Sequence, residues 1–134
     1  MMDNNRIASV NKADFSSYLR KAGEFYASMV DAYSRSHYTA ACSCAVHCVI
    51  SSIDAVCVSQ LGERSKGQSH DEAIRLLSRA GPPGLPEKIR QVRDVLSLKS
   101  RVEYGSDDTS KSQAELAVKQ ATRVYNWAKE LARG

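Results

Sequence analysis

Residues 38–61 read YTAACSCAVHCVISSIDAVCVSQL, and this stretch decides the fold. It carries a single formal charge, Asp54, and at 3.6 residues per turn its alanine, cysteine, valine and isoleucine side chains fall on every side. A helix that is apolar all round is buried inside a protein. The stretch therefore predicts a central helix over Tyr38–Leu61 that ends at Gly62 and is covered by the rest of the chain.

The segments on either side have apolar residues at steps of three and four, the spacing of amphipathic helices. Two pairs with capping-box spacing, Ser69 with Glu72 and Ser110 with Gln113, mark helix starts. The predicted helices are Lys12–Tyr33, His70–Arg79, Pro86–Tyr104 and, after a break at 105–108, a last helix with apolar positions from Ala114 to Leu131. Residues 63–68 show no periodicity and predict a loop.

No segment alternates apolar and polar residues for long enough to predict a strand. A length of 134 residues suits one domain, so we expect a single helical domain over 1–134 and exclude a two-domain enzyme. With 43% hydrophobic and 25% charged residues, the composition is that of a soluble globular protein. The prediction is an all-α, up-and-down bundle of three long and two shorter helices.

Four cysteines lie at 42, 44, 48 and 57, within one apolar stretch, which favours reduced, buried thiols. Cys44, His47 and Cys48 share a helix face, but no second pair of ligands supplies a fourth partner, so we expect no metal and no cofactor. The N-terminus has no signal-peptide pattern, and no 18-residue stretch lacks polar residues. We therefore expect a cytoplasmic protein without a membrane segment.

Asp54 is a carboxylate within an otherwise uncharged helix, and a buried carboxylate requires a partner. If the following loop folds back, Ser65 and His70 come within reach of it. The favoured interpretation is a structural polar latch of Asp54, Ser65 and His70, and a catalytic Asp–His pair is the alternative. Nucleophile-elbow, phosphate-loop and zinc-protease motifs are absent from the sequence, which disfavours the corresponding enzyme classes.

Residues 98–105, LKSRVEYG, followed by Ser112, Ala114, Glu115 and an amphipathic run to Trp127, resemble the HEPN superfamily over nearly the whole chain. The resemblance implies a small helical domain that is often found beside nucleotidyltransferases. Many HEPN proteins are metal-independent ribonucleases with an arginine and, four to six residues on, a histidine near the start of a late helix. This sequence departs from that pattern, because no histidine follows His70 and Tyr104 stands in the corresponding region.

The resemblance therefore predicts a non-catalytic HEPN-like module, a homodimer, that binds RNA, a nucleotide or a nucleotidyltransferase partner through Lys99, Arg101 and Tyr104. In a toxin–antitoxin pair, Tyr104 would be a candidate acceptor of a nucleotidyl group. The alternative is a HEPN-type ribonuclease. In that case Arg64, which is separated from His70 by five residues, would hold a phosphate while His70 transfers a proton at the ribose 2′-hydroxyl.

Overall fold

The computed structural model of the chain describes residues 6–66, 69–105 and 108–133, with the backbone alone at 103, 104 and 133. In these residues the helices and strands, in chain order, are β1 (Ile7–Ser9), α1 (Phe15–Ser34), α2 (Tyr38–Leu61), β2 (Glu63–Ser65), α3 (His70–Ala80), α4 (Leu85–Leu96), α5 (Lys99–Tyr104) and α6 (Lys111–Arg133). A single 3-10 turn, Lys12–Asp14, precedes α1. The predicted all-α fold class is confirmed.

The α2 helix is the centre of the bundle, as its composition predicts. It packs against every other helix, and thirteen of its residues are buried. By length and composition α2 could cross a membrane, but 67% of its most apolar window is buried inside the protein. That burial is typical of the core helix of a globular protein, because the other helices cover the apolar surface of α2.

The α1 and α2 helices form an antiparallel hairpin with a connection of three residues. The Phe25 ring stacks on His47 with centroids 5.1 Å apart, and Tyr33 meets Tyr38 at 5.9 Å beside the connection. On the other side of α1, Tyr26 stacks on Tyr125 of α6 at 5.0 Å. These ring contacts, on two sides of α1, therefore fix its position against α2 and α6.

The α4 and α6 helices also run antiparallel. Gln120 donates to the Asp94 carboxylate at 2.9 Å, and further along the pair the Trp127 indole donates to the Pro83 carbonyl at 3.0 Å. Since the residue numbers of the partners rise on one helix as they fall on the other, the two helices point in opposite directions. The four longest helices thus form the up-and-down bundle that the short connections predict.

The single helix predicted over Pro86–Tyr104 is two helices. The chain turns at Ser97 and Leu98, where the Leu98 amide donates to the Val95 carbonyl at 3.0 Å, three residues back, in place of the usual four. The Ser97 hydroxyl also donates to the Asp94 carbonyl, which competes with the helical ladder. The turn gives α5 its own direction and packs Leu98 and Val102 on the core.

Two short strands occur where a loop was expected. Ile7–Ser9 pairs antiparallel with Glu63–Ser65, and three residues are too few to show an alternating pattern. Of the two capping pairs, Ser110 and Gln113 bond reciprocally as predicted. Ser69 caps α3 through the Asp71 amide, but Glu72 pairs with Arg6 instead.

Gly62 ends α2 in the left-handed conformation, with φ +67°, and an added Cβ would lie 3.1 Å from the Val10 carbonyl oxygen. Gly84 has a similar φ of +76° but open space around it. We expect Gly62→Ala to cost about 2 kcal/mol of unfolding free energy and Gly84→Ala about 1 kcal/mol, because only the first adds a steric contact to the backbone strain. Urea denaturation measures both. If the two variants lost the same unfolding free energy, the closeness of the Val10 carbonyl oxygen to Gly62 would have no effect on stability.

Candidate functional site

A small enclosed cavity lies beside the C-terminal half of α2. It measures about 20 Å³, roughly the size of one water molecule, and Asp54, Ser65 and His70 all line it. The structure therefore brings together the three residues of the predicted latch. Lys99, which the sequence assigned to a separate binding surface, lines the same cavity.

The antiparallel strands place Ser65 in this cavity. Ser65 lies opposite Ile7 in the ladder and is only 5% exposed, while Arg64 lies opposite Ala8. Successive strand residues point to opposite faces, so Arg64 is directed away from the cavity. Its guanidinium lies over the Tyr18 ring, 5.9 Å from the centroid, and donates to the Ser65 carbonyl at 3.3 Å.

The Asp54 carboxyl is the most perturbed acid of the site. Burial raises the pKa of Asp54 from an ordinary value of 3.8 to about 7, and the charges of Arg64 and Lys21 offset only part of that effect. Burial penalises the carboxylate more than these two cations favour it. Near neutral pH, Asp54 therefore exists in both its protonated and its ionised form.

Tyr18 and Lys21 on α1 are functional candidates that the sequence reasoning missed. The Lys21 ammonium lies 5.5 Å from the centre of the Tyr18 ring, so two cations, Lys21 and Arg64, surround one aromatic side chain. The spacing of Tyr18 and Lys21, three residues apart on a predicted helix, signals their contact. Nothing in the sequence signals the approach of Arg64 across more than forty residues.

The arginine and histidine of the alternative ribonuclease site are not assembled in an open cleft. His70 begins α3 and lines the enclosed cavity, whereas Arg64 packs on Tyr18 outside it. The cavity has no room for a ribose and its phosphate. In this arrangement His70 can take part in a hydrogen-bonded network, but it does not face a substrate-sized space.

The α5 helix carries the predicted ligand-binding residues. Lys99 is half-buried at the cavity, and Arg101 is exposed to solvent. The side chain of Tyr104 lies outside the described residues. On the neighbouring α4, Arg90 and Arg93 are also exposed, so the outer surface of this part of the bundle is basic.

An open groove of about 790 Å³ lies beside α5 at the start of α2. The Thr39 hydroxyl donates to Thr109 at 3.1 Å across it. Its walls come from three separate parts of the chain, which is why no sequence pattern indicates it. They include the hydroxyl residues Ser36, Thr39, Ser43 and Thr109, with His37, Tyr38, Val102 and one carboxylate, Asp108.

The cysteines are free thiols; Cys42, Cys48 and Cys57 are buried, and Cys44 is partly exposed. Burial raises the pKa of the Cys48 thiol to about 12, so it is protonated and a poor metal ligand at neutral pH. His47 uses its ring to stack on Phe25. Within the described part of the chain, no group of three His, Cys, Asp or Glu side chains is placed to hold a metal ion.

Comparison with protein-family models matches residues 15–131 to the family described as HEPN domain. The matched segment runs from the first residue of α1 almost to the end of α6, and it includes α2, the enclosed cavity and α5. A search of curated proteins found no match.

The raised pKa of Asp54 predicts how stability depends on pH. The folded state holds the Asp54 proton up to about pH 7 and the unfolded state only to about pH 4, so this contribution to stability is complete below pH 4 and lost as the pH rises through 7. Asp54→Asn cannot ionise. We expect it to match the natural protein near pH 3 and to exceed its unfolding free energy by about 4 kcal/mol at pH 8, with the difference growing between pH 4 and pH 7.

Denaturant unfolding at several pH values measures this difference. The matched control is Asp31→Asn, since Asp31 is a solvent-exposed carboxylate paired with Arg35 on α1 and should leave the pH profile nearly unchanged. If the unfolding free energy of Asp54→Asn changed with pH as steeply as that of the natural protein, the raised pKa of Asp54 would be contradicted.

Proposed function

The chain belongs to the HEPN family, and from that premise we propose that it is a non-catalytic module that binds RNA or a nucleotide. Family membership supports a general role as an RNA-binding or nuclease-like module. The choice between a binding module and a ribonuclease rests on the different sizes of two candidate sites, the cavity at His70 and the groove beside α5. The cavity at His70 is narrow and of water size, whereas the groove beside α5 is open and large enough for a nucleotide.

The chemistry of the α5 side suits a nucleic acid. Arg101 is exposed beside Val102, which lines the groove, and an arginine fork binds phosphate oxygens in a bidentate manner. The hydroxyl groups of Thr39, Ser43 and Thr109 can donate to or accept from ribose and base edges. A cation next to a hydroxyl-lined groove is the combination that single-stranded RNA or a nucleotide requires.

We further propose that the chain acts as one domain, in the cytoplasm and as a homodimer, with a nucleotidyltransferase as a candidate partner. Among the described residues, two large apolar side chains are left exposed, Val30 at 43% and Leu116 at 46%. A partly exposed stripe of α2, which includes Cys44, His47 and Ile50, is a second surface that a copy of the chain would cover. A toxin–antitoxin context, with Tyr104 as the acceptor, stays a prediction.

The ribonuclease alternative requires Arg64 and His70 to act on one phosphodiester. The alternation along β2 directs Ser65 into the cavity beside His70 and Arg64 away from it, which favours the binding role. RNA cleavage distinguishes the two functions, because only a ribonuclease cleaves the RNA that it binds. Cleavage that disappears in His70→Ala would establish the alternative.

We expect the protein to bind a fluorescent single-stranded RNA without cleaving it. Lys99→Ala/Arg101→Ala should weaken binding at least about fivefold and reduce the salt dependence of log K by about 1.4, the value for two lost contacts to a single strand. Fluorescence anisotropy across a salt series measures both, and gel electrophoresis of the same samples detects cleavage. Lys119→Ala, which removes an exposed cation from α6, is the control and should bind like the natural protein.

A further inference from the structure

Two elements contribute cations around one tyrosine ring on the surface of the bundle. Tyr18 and Lys21 come from α1 and Arg64 from β2, and Asp54 of α2 lines a cavity together with Ser65, the residue that follows Arg64. We propose that Lys21 and Arg64 form a phosphate-binding site beside Tyr18, and that ionisation of the Asp54 carboxyl weakens it. The identification of the phosphate as one in single-stranded RNA rests on the proposed function.

The two cations are held close together. Each lies within 6 Å of the centre of the same ring, so their separation cannot exceed the sum of those two distances. That upper limit is about 11 Å, comparable to the distance over which physiological salt screens a charge, so the fields of both cations reach an anion bound beside the ring. The ring also orders two flexible side chains before any ligand arrives, which lowers the entropic cost of binding.

Both cations are available to an external anion. The arginines at 6, 35 and 79 are paired with carboxylates of the fold, through Glu72, Asp31 and Glu63. Within the described residues, neither Lys21 nor Arg64 has a carboxylate oxygen within 4 Å, and their contacts are with an aromatic ring and a carbonyl group. Their charge is therefore balanced by Asp54 only at longer range.

Asp54 competes with the ligand for these cations. When Asp54 is ionised, its charge attracts Arg64 and Lys21, and when it is protonated, that attraction is lost. Because the pKa of Asp54 lies near 7, the competition changes between pH 6 and pH 8. The groups that face Asp54 are Lys21 on α1, Cys57 on α2 itself, Arg64 on β2, His70 on α3 and Lys99 on α5.

Phosphate is the anion that this geometry favours. A guanidinium binds two phosphate oxygens at once and an ammonium adds a point charge, and the two together complement a group with several charged oxygens. The α5 side carries its own cations, and Lys99 shares the enclosed cavity with Asp54. Asp54 therefore links the new site to the binding surface of the proposed function, and a strand of RNA can engage both.

The test compares Lys21→Gln/Arg64→Gln with Lys129→Gln. Lys129 lies over the Tyr125 ring at 4.7 Å and so makes the same kind of contact at a different place on the bundle. Binding of a labelled single-stranded RNA is measured by anisotropy at pH 6 and pH 8 in one salt concentration. We expect the natural protein to bind about 3- to 10-fold more tightly at pH 6, the effect of one charge at partly screened distance.

The double variant should lose at least about fivefold in affinity at pH 6, and Lys129→Gln should stay within about twofold of the natural protein. Asp54→Asn should bind at pH 8 as tightly as the natural protein does at pH 6. Circular dichroism checks that each variant is folded.

A second measurement separates the site from the proposed function. The Arg64 Nε–H signal in NMR spectra of the natural protein is followed during titration with inorganic phosphate and with uridine 5′-monophosphate. Saturable shifts support the site even if RNA does not bind. Larger shifts with the nucleotide than with phosphate alone would show that the site takes a nucleotide phosphate.

Two outcomes would overturn the proposal. One is an RNA affinity that falls in Lys99→Ala/Arg101→Ala but is unchanged in Lys21→Gln/Arg64→Gln, which would leave the proposed function intact. The other is an Arg64 signal that does not respond to either phosphate compound.

Discussion

The whole architecture depends on burying one helix that has almost no polar surface. The α2 side chains are mostly alanine, cysteine, valine and serine, and thirteen of its residues are buried. Small side chains allow neighbouring helices to approach closely, and α1 and α6 cover two sides of α2 over most of its length. The amphipathic helices take their orientation from this requirement, since each must turn its apolar face towards α2.

Coverage by the long helices is incomplete along one stripe of α2, and there the chain places its polar and titratable groups. Asp54, His47 and Ser43 lie on that stripe, which the short elements β2, α3 and α5 cover only in part. The candidate sites therefore occur where the packing of the bundle leaves the central helix partly open.

The sequence predicts what depends on local patterns. The end of α1 to within one residue, the bounds of α2, the left-handed Gly62 and the Ser110 cap all follow from spacing and residue type, whereas α1 begins at Phe15, three residues after the predicted start. The break at Ser97 does not, because Leu98 and Val102 keep the apolar spacing of a continuous helix while the serine hydroxyl and a shortened hydrogen bond turn the chain. A loop that folds back on α2 is a local feature, so the sequence could predict that Asp54 and His70 line the same cavity. The approach of Arg64 to Tyr18 joins distant parts of the chain, and no sequence pattern predicts it.

The separation of Arg64 from His70 shows why sequence spacing alone is weak support for a catalytic pair. The five residues between them match a ribonuclease pattern, yet the strand ladder decides which way each side chain points. Pairing of Ile7 with Ser65 sends the serine inward to His70 and the arginine outward to Tyr18. A shift of the register by one residue would exchange these directions, because side chains alternate along a strand. Three residues of β-structure thus direct the arginine of this helical protein towards Tyr18 at the surface and away from the histidine.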